Sequence, residues 1–238
     1  MLEKGVKFLE EYRKDIMEKK GKLRVSYDLW EMHEGVSIYS LACMYSAYEA
    51  MLNVYDVLEE EFAGNRLKQD EILKEKEILN QGKDDLKRYV QNNLYDEEKK
   101  SFVRNDMDKR IDISLLGLVT PFEMFMPKDK KILNTIERIN MNLRTYTGGY
   151  LRFEDDHYTG DRPWVIATLW MALYYIKAND IQHAKECFDF VVNSATNHGF
   201  LGEQVENREM KSAWVIGLAW SHAMFVIVLE ELIRLKAI

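Results

Sequence analysis

Cysteine and proline are both scarce in this chain, with two of the first and three of the second among 238 residues. Cys43 and Cys187 stand in apolar, helix-like surroundings without paired spacing. That excludes a disulfide framework and leads to an expectation of two buried, reduced thiols. Proline is confined to positions 121, 127 and 163, so long helices can run elsewhere without the break a missing N–H forces. Positive charge is also in deficit: 33 Lys and Arg stand against 40 Asp and Glu, a net charge of −7. Nucleic acid and anionic membrane are thereby excluded as main partners, because both require a basic surface. No His, Cys and carboxylate set has metal-ligand spacing, and no glycine-rich phosphate loop opens a helix. Neither a metal nor a cofactor is expected. The start, Met1-Leu2-Glu3-Lys4-Gly5, lacks the apolar stretch of a signal peptide, so the expected location is the cytoplasm. One uncharged run, Ala213 to Leu229, approaches membrane length. Gly217, Ser221, His222 and two interior Trp make it an expected buried core helix rather than a span.

What remains is ordinary for a globular protein, 47% hydrophobic and 31% charged, and is expected to form a single helical domain over 1–238. Leu2, Val6, Leu9 and Ile16 repeat at helical spacing, and Lys19-Lys20-Gly21 marks an end. A long helix rich in Ala, Met, Leu and Tyr is predicted from Ser37 to about Glu61. A charged, solvated helix follows over Asn65–Asn92. Leu94–Asp108 reads as loop with a short hairpin, and Asp112 caps an apolar segment that ends at Pro121. Lys128–Leu143 is amphipathic, and Arg144–Pro163 is a long loop of the kind that is usually functional. A helix apolar nearly all round runs from Pro163 to Lys177, and Asp180 caps an outer helix to about Asn197. The last helix is predicted from Ser212 to about Lys236. Apolar helices thus alternate with amphipathic ones, as in a barrel of helical hairpins whose inner helices face core and neighbours. The expected fold class is all-α, an (α/α)6 toroid or part of one.

Two loop carboxylates stand out. Glu31 lies in Tyr27-Asp28-Leu29-Trp30-Glu31-Met32-His33-Glu34-Gly35, beside an indole that can exclude water and raise a carboxyl pKa. Glu203 lies in Gly199-Phe200-Leu201-Gly202-Glu203-Gln204-Val205, on what reads as a short turn before a buried helix. Two carboxylates, each at the mouth of an inner helix, suggest glycoside hydrolysis. The bland alternative is two solvated loop glutamates among many. His33 and His157 read as exposed loop residues, and His222 as a satisfied helix histidine.

The block Tyr27-Asp28-Leu29-Trp30-Glu31 with Gly35 resembles the general-acid motif of the glucoamylase-type inverting glycosidases, glycoside hydrolase family 15. Arg152-Phe153-Glu154-Asp155-Asp156, with Tyr158, Gly160 and Pro163-Trp164, is similar to the family's arginine-aromatic-acidic loop. Gly199 to Gln204 is similar to its catalytic-base segment, and Leu218-Ala219-Trp220-Ser221-His222-Ala223 to its last inner helix. The resemblance, from about Ser26 to about Leu232, implies release of glucose from non-reducing ends of oligosaccharides or disaccharides with inversion. It makes Glu31 the general acid and Glu203 the general base, with carboxyls facing one pocket roughly 6.5–9.5 Å apart. It also makes Arg152, with Asp156 beside it, a substrate-binding group, since a guanidinium fork suits vicinal hydroxyls. A surface ion pair of Arg152 with Asp155 or Asp156 is compatible with that role. Trp30 and Trp164 become pocket walls, with core packing the equal alternative for Trp164, and Asp28 a group that sets the acid's ionisation or position.

Two departures bear on function. Where many family members carry a second Glu after the acid, this chain has Met32, which leaves linkage open and leaves room for trehalose as substrate. About eight of the family's roughly twelve helices are legible, so a partial toroid is expected, without the Arg-Asp pair that grips the terminal glucose. Three outcomes follow from this. The isolated chain is expected to hydrolyse little. Its open flank is expected to drive self-association, or to be covered by Leu2, Val6, Phe8, Leu9, Tyr12 and Ile16 of the first helix. A non-catalytic helical regulatory module of the same fold is the remaining alternative, against which the retention of Glu31 and Glu203 argues.

Overall fold

The computed structural model describes residues 2–18, 25–158 and 160–238. The all-α class expected from the sequence holds, since helices carry the structure and the strands are pieces of two to five residues. The predicted helix end at Lys19-Lys20-Gly21 lies outside the described residues. Backbone contacts divide the chain into two compact units. The first comprises Met1–Glu98, Val103–Lys109 and Pro121–Met124; the second comprises Lys99–Phe102, Arg110–Thr120 and Phe125–Ile238.

The first unit is built on α2 (Ile38–Glu61) and α3 (Arg66–Asn93), which pack along each other. The turn between them is short, and the Asn65 side chain caps α3 by accepting the Lys68 N–H at 3.3 Å. On α2 the buried residues recur at Leu41, Met44, Tyr48, Met51, Leu52 and Tyr55, an apolar stripe at helical spacing. Cys43 falls off that stripe and is exposed, a correction to the expected buried thiol. Helix α1 (Leu2–Glu18) lies against α2 and α3 through Glu10, Arg13 and Ile16. Glu10 takes two hydrogen bonds from Arg13 at 2.8 and 2.9 Å, and Arg13 reaches Asp85 at 2.5 Å. Gly82 is required beneath them, because a Cβ there would stand 2.8 Å from the Tyr48 ring and 2.9 Å from Glu10 Oε1. The expected covering face of α1 is only partly used: Ile16 is buried, while Leu2 and Phe8 are exposed. Ile16, with Val6, Leu9 and Tyr12 half-buried, and the Glu10–Arg13–Asp85 ionic latch together seat this helix.

In the second unit α5 (Val165–Lys177) is the hub, packing on α6 (Ile181–Asn193), on α7 (Ala219–Arg234) and on a 3₁₀ helix, Ile113–Leu118. Asp112 starts that 3₁₀ turn by accepting the Ser114 N–H at 2.8 Å. Asp180 caps α6, accepting from His183 N at 3.3 Å. Helix α4 (Lys130–Leu143) covers the 3₁₀ helix and β4 (Ser101–Phe102), the strand paired with β3 (Tyr95–Asp96). Pro163 precedes α5 instead of opening it, since Trp164 is the N-cap. The long loop before it is tethered, with single bridges joining Arg144 to Tyr150, Tyr150 to Trp164 and Trp164 to Gln204. Cys187 is buried, and burial pushes its thiol up to about 12.

The predicted last helix is corrected. Ser212–Ile216 is a strand, β6, antiparallel to β5 (Gly202–Val205), and α7 begins only at Ala219. Gly217, at φ +79°, makes the turn between them, a conformation that glycine adopts without strain. Nor is α7 a buried core helix in this chain. Its buried residues are Ser221, Val228 and Leu232, and Trp220, Val226, Ile227 and Ile233 are exposed. Among the described residues, no helix is long and apolar enough to cross a membrane.

Candidate active site

Glu31 sits at the tip of a hairpin in the first unit. Strands β1 (Ser26–Tyr27) and β2 (Glu34–Gly35) pair antiparallel, Ser26 with Gly35 and Tyr27 with Glu34. Asp28 organises the six-residue tip. Its Oδ1 accepts the backbone N–H groups of Trp30, Met32 and His33 at 3.1, 3.0 and 3.3 Å, and its Oδ2 meets His33 Nδ1 at 2.9 Å. His33 is therefore a half-buried partner of Asp28 and not the exposed loop residue expected. The backbone closes through Asp28 N–H to His33 C=O and Glu31 N–H to Asp28 C=O. Glu31 itself has φ +56°, a strained conformation for a residue with a Cβ. Its side chain is exposed, Trp30 is half-buried and Met32 is half-exposed. The hairpin is fastened at its base. Gly35 lies so close to Asn105 that a Cβ would stand 2.7 Å from its side chain, and Val36 N–H donates to Asp106 at 2.8 Å.

The second unit gathers Arg152, Asp156, Trp164 and Glu203. Arg152 donates twice to Asp156, Nε to Oδ2 and an Nη to Oδ1, both at 2.8 Å. The pair is buried, with 7% and 2% of the two side chains exposed, so it is not the surface pair that was the alternative. Asp155 instead meets Arg110 on the surface at 3.3 Å. The Arg152 guanidinium lies 4.1 Å from the Trp164 ring centre and 5.3 Å from that of Tyr158, within cation–π range. Trp164 is itself 2% exposed, and it also meets Trp220 edge to face at 6.5 Å.

Glu203 is on strand β5, not on a turn before a helix. Gly202 is needed just ahead of it, since a Cβ there would stand 2.8 Å from the Ala213 carbonyl oxygen. Ser221 Oγ–H donates to the Gly202 carbonyl at 2.9 Å, and His222 Nε2 accepts the Leu201 N–H at 3.2 Å. His222 is thus a satisfied helix histidine, as expected. One carboxylate oxygen of Glu203, Oε2, is buried with no hydrogen-bond partner among the described residues. Loss of water pushes the Glu203 pKa above the ordinary carboxylate value, and the Arg152 charge opposes that rise. A carboxylate with such a pKa is a stronger base than a solvated one.

Tyr158 and Trp214 join this cluster without having been singled out as site residues. Tyr158 lies 6.0 Å from Trp164 and 5.8 Å from Trp214, ring centre to ring centre. Gln204 is fully buried and donates to the Tyr158 carbonyl at 3.3 Å. The signal for Trp214 was its position inside an uncharged run, where an aromatic reads as core. Among the described residues, no group of three His, Cys, Asp or Glu is placed to hold a metal ion.

The sequence model for glycosyl hydrolases family 15 matches residues 18–230. An uncharacterized glycosyl hydrolase of Methanocaldococcus jannaschii is 28% identical across 94% of this chain and 38% of its own length. Trehalase 1 of Sulfolobus acidocaldarius is 28% identical across 63% of this chain and 26% of its own. A solved wild-type glycosidase superposes with a TM-score of 0.71 at 21% identity, covering 88% of this chain and 55% of that one. This last likeness is one of fold and agrees with the (α/α)6 class. The chain therefore spans well under two thirds of the length of each of these proteins.

Proposed function

This chain belongs to glycosyl hydrolase family 15, and on that premise we propose that it releases glucose from the non-reducing ends of α-glucosides by an inverting acid/base mechanism. The observation that carries this reading is the setting of Glu203. It combines a partly desolvated carboxylate, a buried Arg152–Asp156 pair and an aromatic surround. Glu203 takes the role of general base, drawing a proton from the attacking water as the glycosidic bond breaks. Glu31 takes the role of general acid, giving a proton to the leaving oxygen. Asp28 positions that acid by fixing the loop backbone, and Trp30 forms a wall beside it. Arg152, oriented by its two hydrogen bonds to Asp156 and lying over the Trp164 ring, takes the role of sugar-binding group, its planar fork suited to vicinal hydroxyls. The substrate is an oligosaccharide or disaccharide of glucose.

Trehalose is the second reading. A trehalase is among the similar proteins, and Met32 supplies no carboxylate to hydrogen-bond the sugar beyond the scissile bond. Glucose release from maltose, isomaltose, trehalose and longer dextrins separates the two. In an active preparation, Glu31→Gln and Glu203→Gln are each expected to lower turnover by ~10²–10⁴ with the fold intact. A variant with near-normal rates clears that residue of its role. Absence of both glucose release and sugar binding in a folded wild-type protein removes the glycosidase reading.

A further inference from the structure

Trp214 has the most unexpected backbone in the second unit. Its φ is +64°, in the left-handed region, where a bulky residue is strained. Glycine would take this conformation freely, as Gly217 does three positions on at φ +79°. Packing does not account for the aromatic either, because Trp214 is 54% exposed.

The placement of the ring is specific. Gly202 pairs with Ile216 and Gln204 with Ala213, so Trp214 and Val215 together stand opposite the single residue Glu203. This is a β-bulge, a device that re-aims a side chain beside a site. The indole Nε1–H donates to the Tyr158 hydroxyl at 3.2 Å, and the two rings meet edge to face. Tyr158 in turn tilts against Trp164, over which Arg152 lies. The indole is held by its N–H edge, and just over half of the residue is left exposed.

We propose that Trp214 is a sugar-binding, specificity-determining residue, its pinned indole face receiving the C–H face of a glucopyranose ring beside Glu203. A gluco-configured pyranose carries its ring hydroxyls around the rim and leaves its faces apolar. An axial hydroxyl, as in galactose, interrupts one face. We assign to the indole the pyranose face from which an axial 4-hydroxyl would project, and on that face the platform selects gluco-configured rings over galacto-configured ones. This assignment rests on the glycosidase reading above.

The test is calorimetric titration of the full chain with glucose and with galactose, alongside thermal unfolding. Trp214→Gly removes the ring and relieves the backbone, so it is expected to raise the unfolding midpoint while weakening glucose about tenfold. Trp214→Phe keeps an apolar face but loses the N–H, and is expected to weaken glucose only about threefold. Preference for glucose over galactose narrows in Trp214→Gly. A purely structural Trp214 would move stability alone; glucose affinity within about twofold of wild type in both variants overturns the assignment and leaves the glycosidase reading standing. A folded wild-type chain that binds neither sugar overturns both.

Discussion

The Asp28–His33 loop and the β5–β6 hairpin solve a similar problem by different means. Each carries a candidate carboxylate and holds a non-glycine residue at positive φ, Glu31 in the first and Trp214 in the second. In the loop, one buried carboxylate gathers three backbone N–H groups and a histidine, and the glutamate it positions stays in solvent. In the hairpin, side chains do the organising, and Glu203 loses water to them. Backbone capture fixes where a carboxyl points without changing its surroundings. Partial burial beside a guanidinium changes its chemistry. The proposed general acid on a loop and the proposed general base on a strand are therefore exposed to different kinds of damage.

Arg152→Gln should break the hairpin's side most severely. It leaves Asp156 as an uncompensated buried charge, an effect of about 3–5 kcal/mol, to be read as a fall in the denaturation midpoint. The same change removes the charge that holds the Glu203 pKa down, so that pKa rises further. A base works only when ionised, so activity is lost as pH falls through its pKa. In the variant that loss should begin at higher pH than in wild type. An acid limb that stays in place would mean Glu203 is not the group that titrates there.

Asp28→Ala damages the other side, and less. Three backbone N–H groups lose one shared acceptor, but the loop tip is near water, which can replace it. A cost of about 1–3 kcal/mol is expected. Amide exchange should quicken at Trp30, Met32 and His33 while the helices keep their protection. Unchanged exchange at those amides would show that the β1–β2 pairing alone holds the tip.

Helical periodicity was enough to find α1 to α6, because each buries a stripe or a full surface whose spacing shows in the residues. Ala213–Leu229 was not legible in the same way. It is uncharged throughout, so a strand, a glycine turn and a helix share one apolar signature. Trp214-Val215-Ile216 followed by Gly217 was the available sign of a strand and its end. Apolarity also misled about burial, since α7 exposes Trp220, Val226 and Ile227. In the candidate site, Arg152, Asp156, Trp164 and Glu203 were legible through motif order, and they do cluster. Burial of the Arg152–Asp156 pair was not, because sequence spacing says nothing of solvent. Trp214 depends on a bulge, which no periodicity encodes.

The smallest expected effect tests what the loop presents beyond its carboxylate. Met32 is half-exposed, and its N–H is already committed to Asp28. A change of its side chain therefore leaves the loop's backbone bonds intact, and Met32→Glu should alter stability by only about 0.5 kcal/mol, as surface substitutions do. Its consequence lies with the substrate. If Met32 faces the sugar beyond the scissile bond, a glutamate there gains an acceptor for one hydroxyl, a contribution of about 0.5–1.5 kcal/mol. That corresponds to a shift of roughly twofold to tenfold in relative kcat/KM among maltose, isomaltose and trehalose, whose second glucose presents different hydroxyls. The sign for each disaccharide reports which hydroxyl the new carboxylate reaches. Relative rates unchanged across all three would place Met32 away from that sugar, and would reduce the loop's part in the proposed mechanism to the carboxylate of Glu31 and the wall of Trp30.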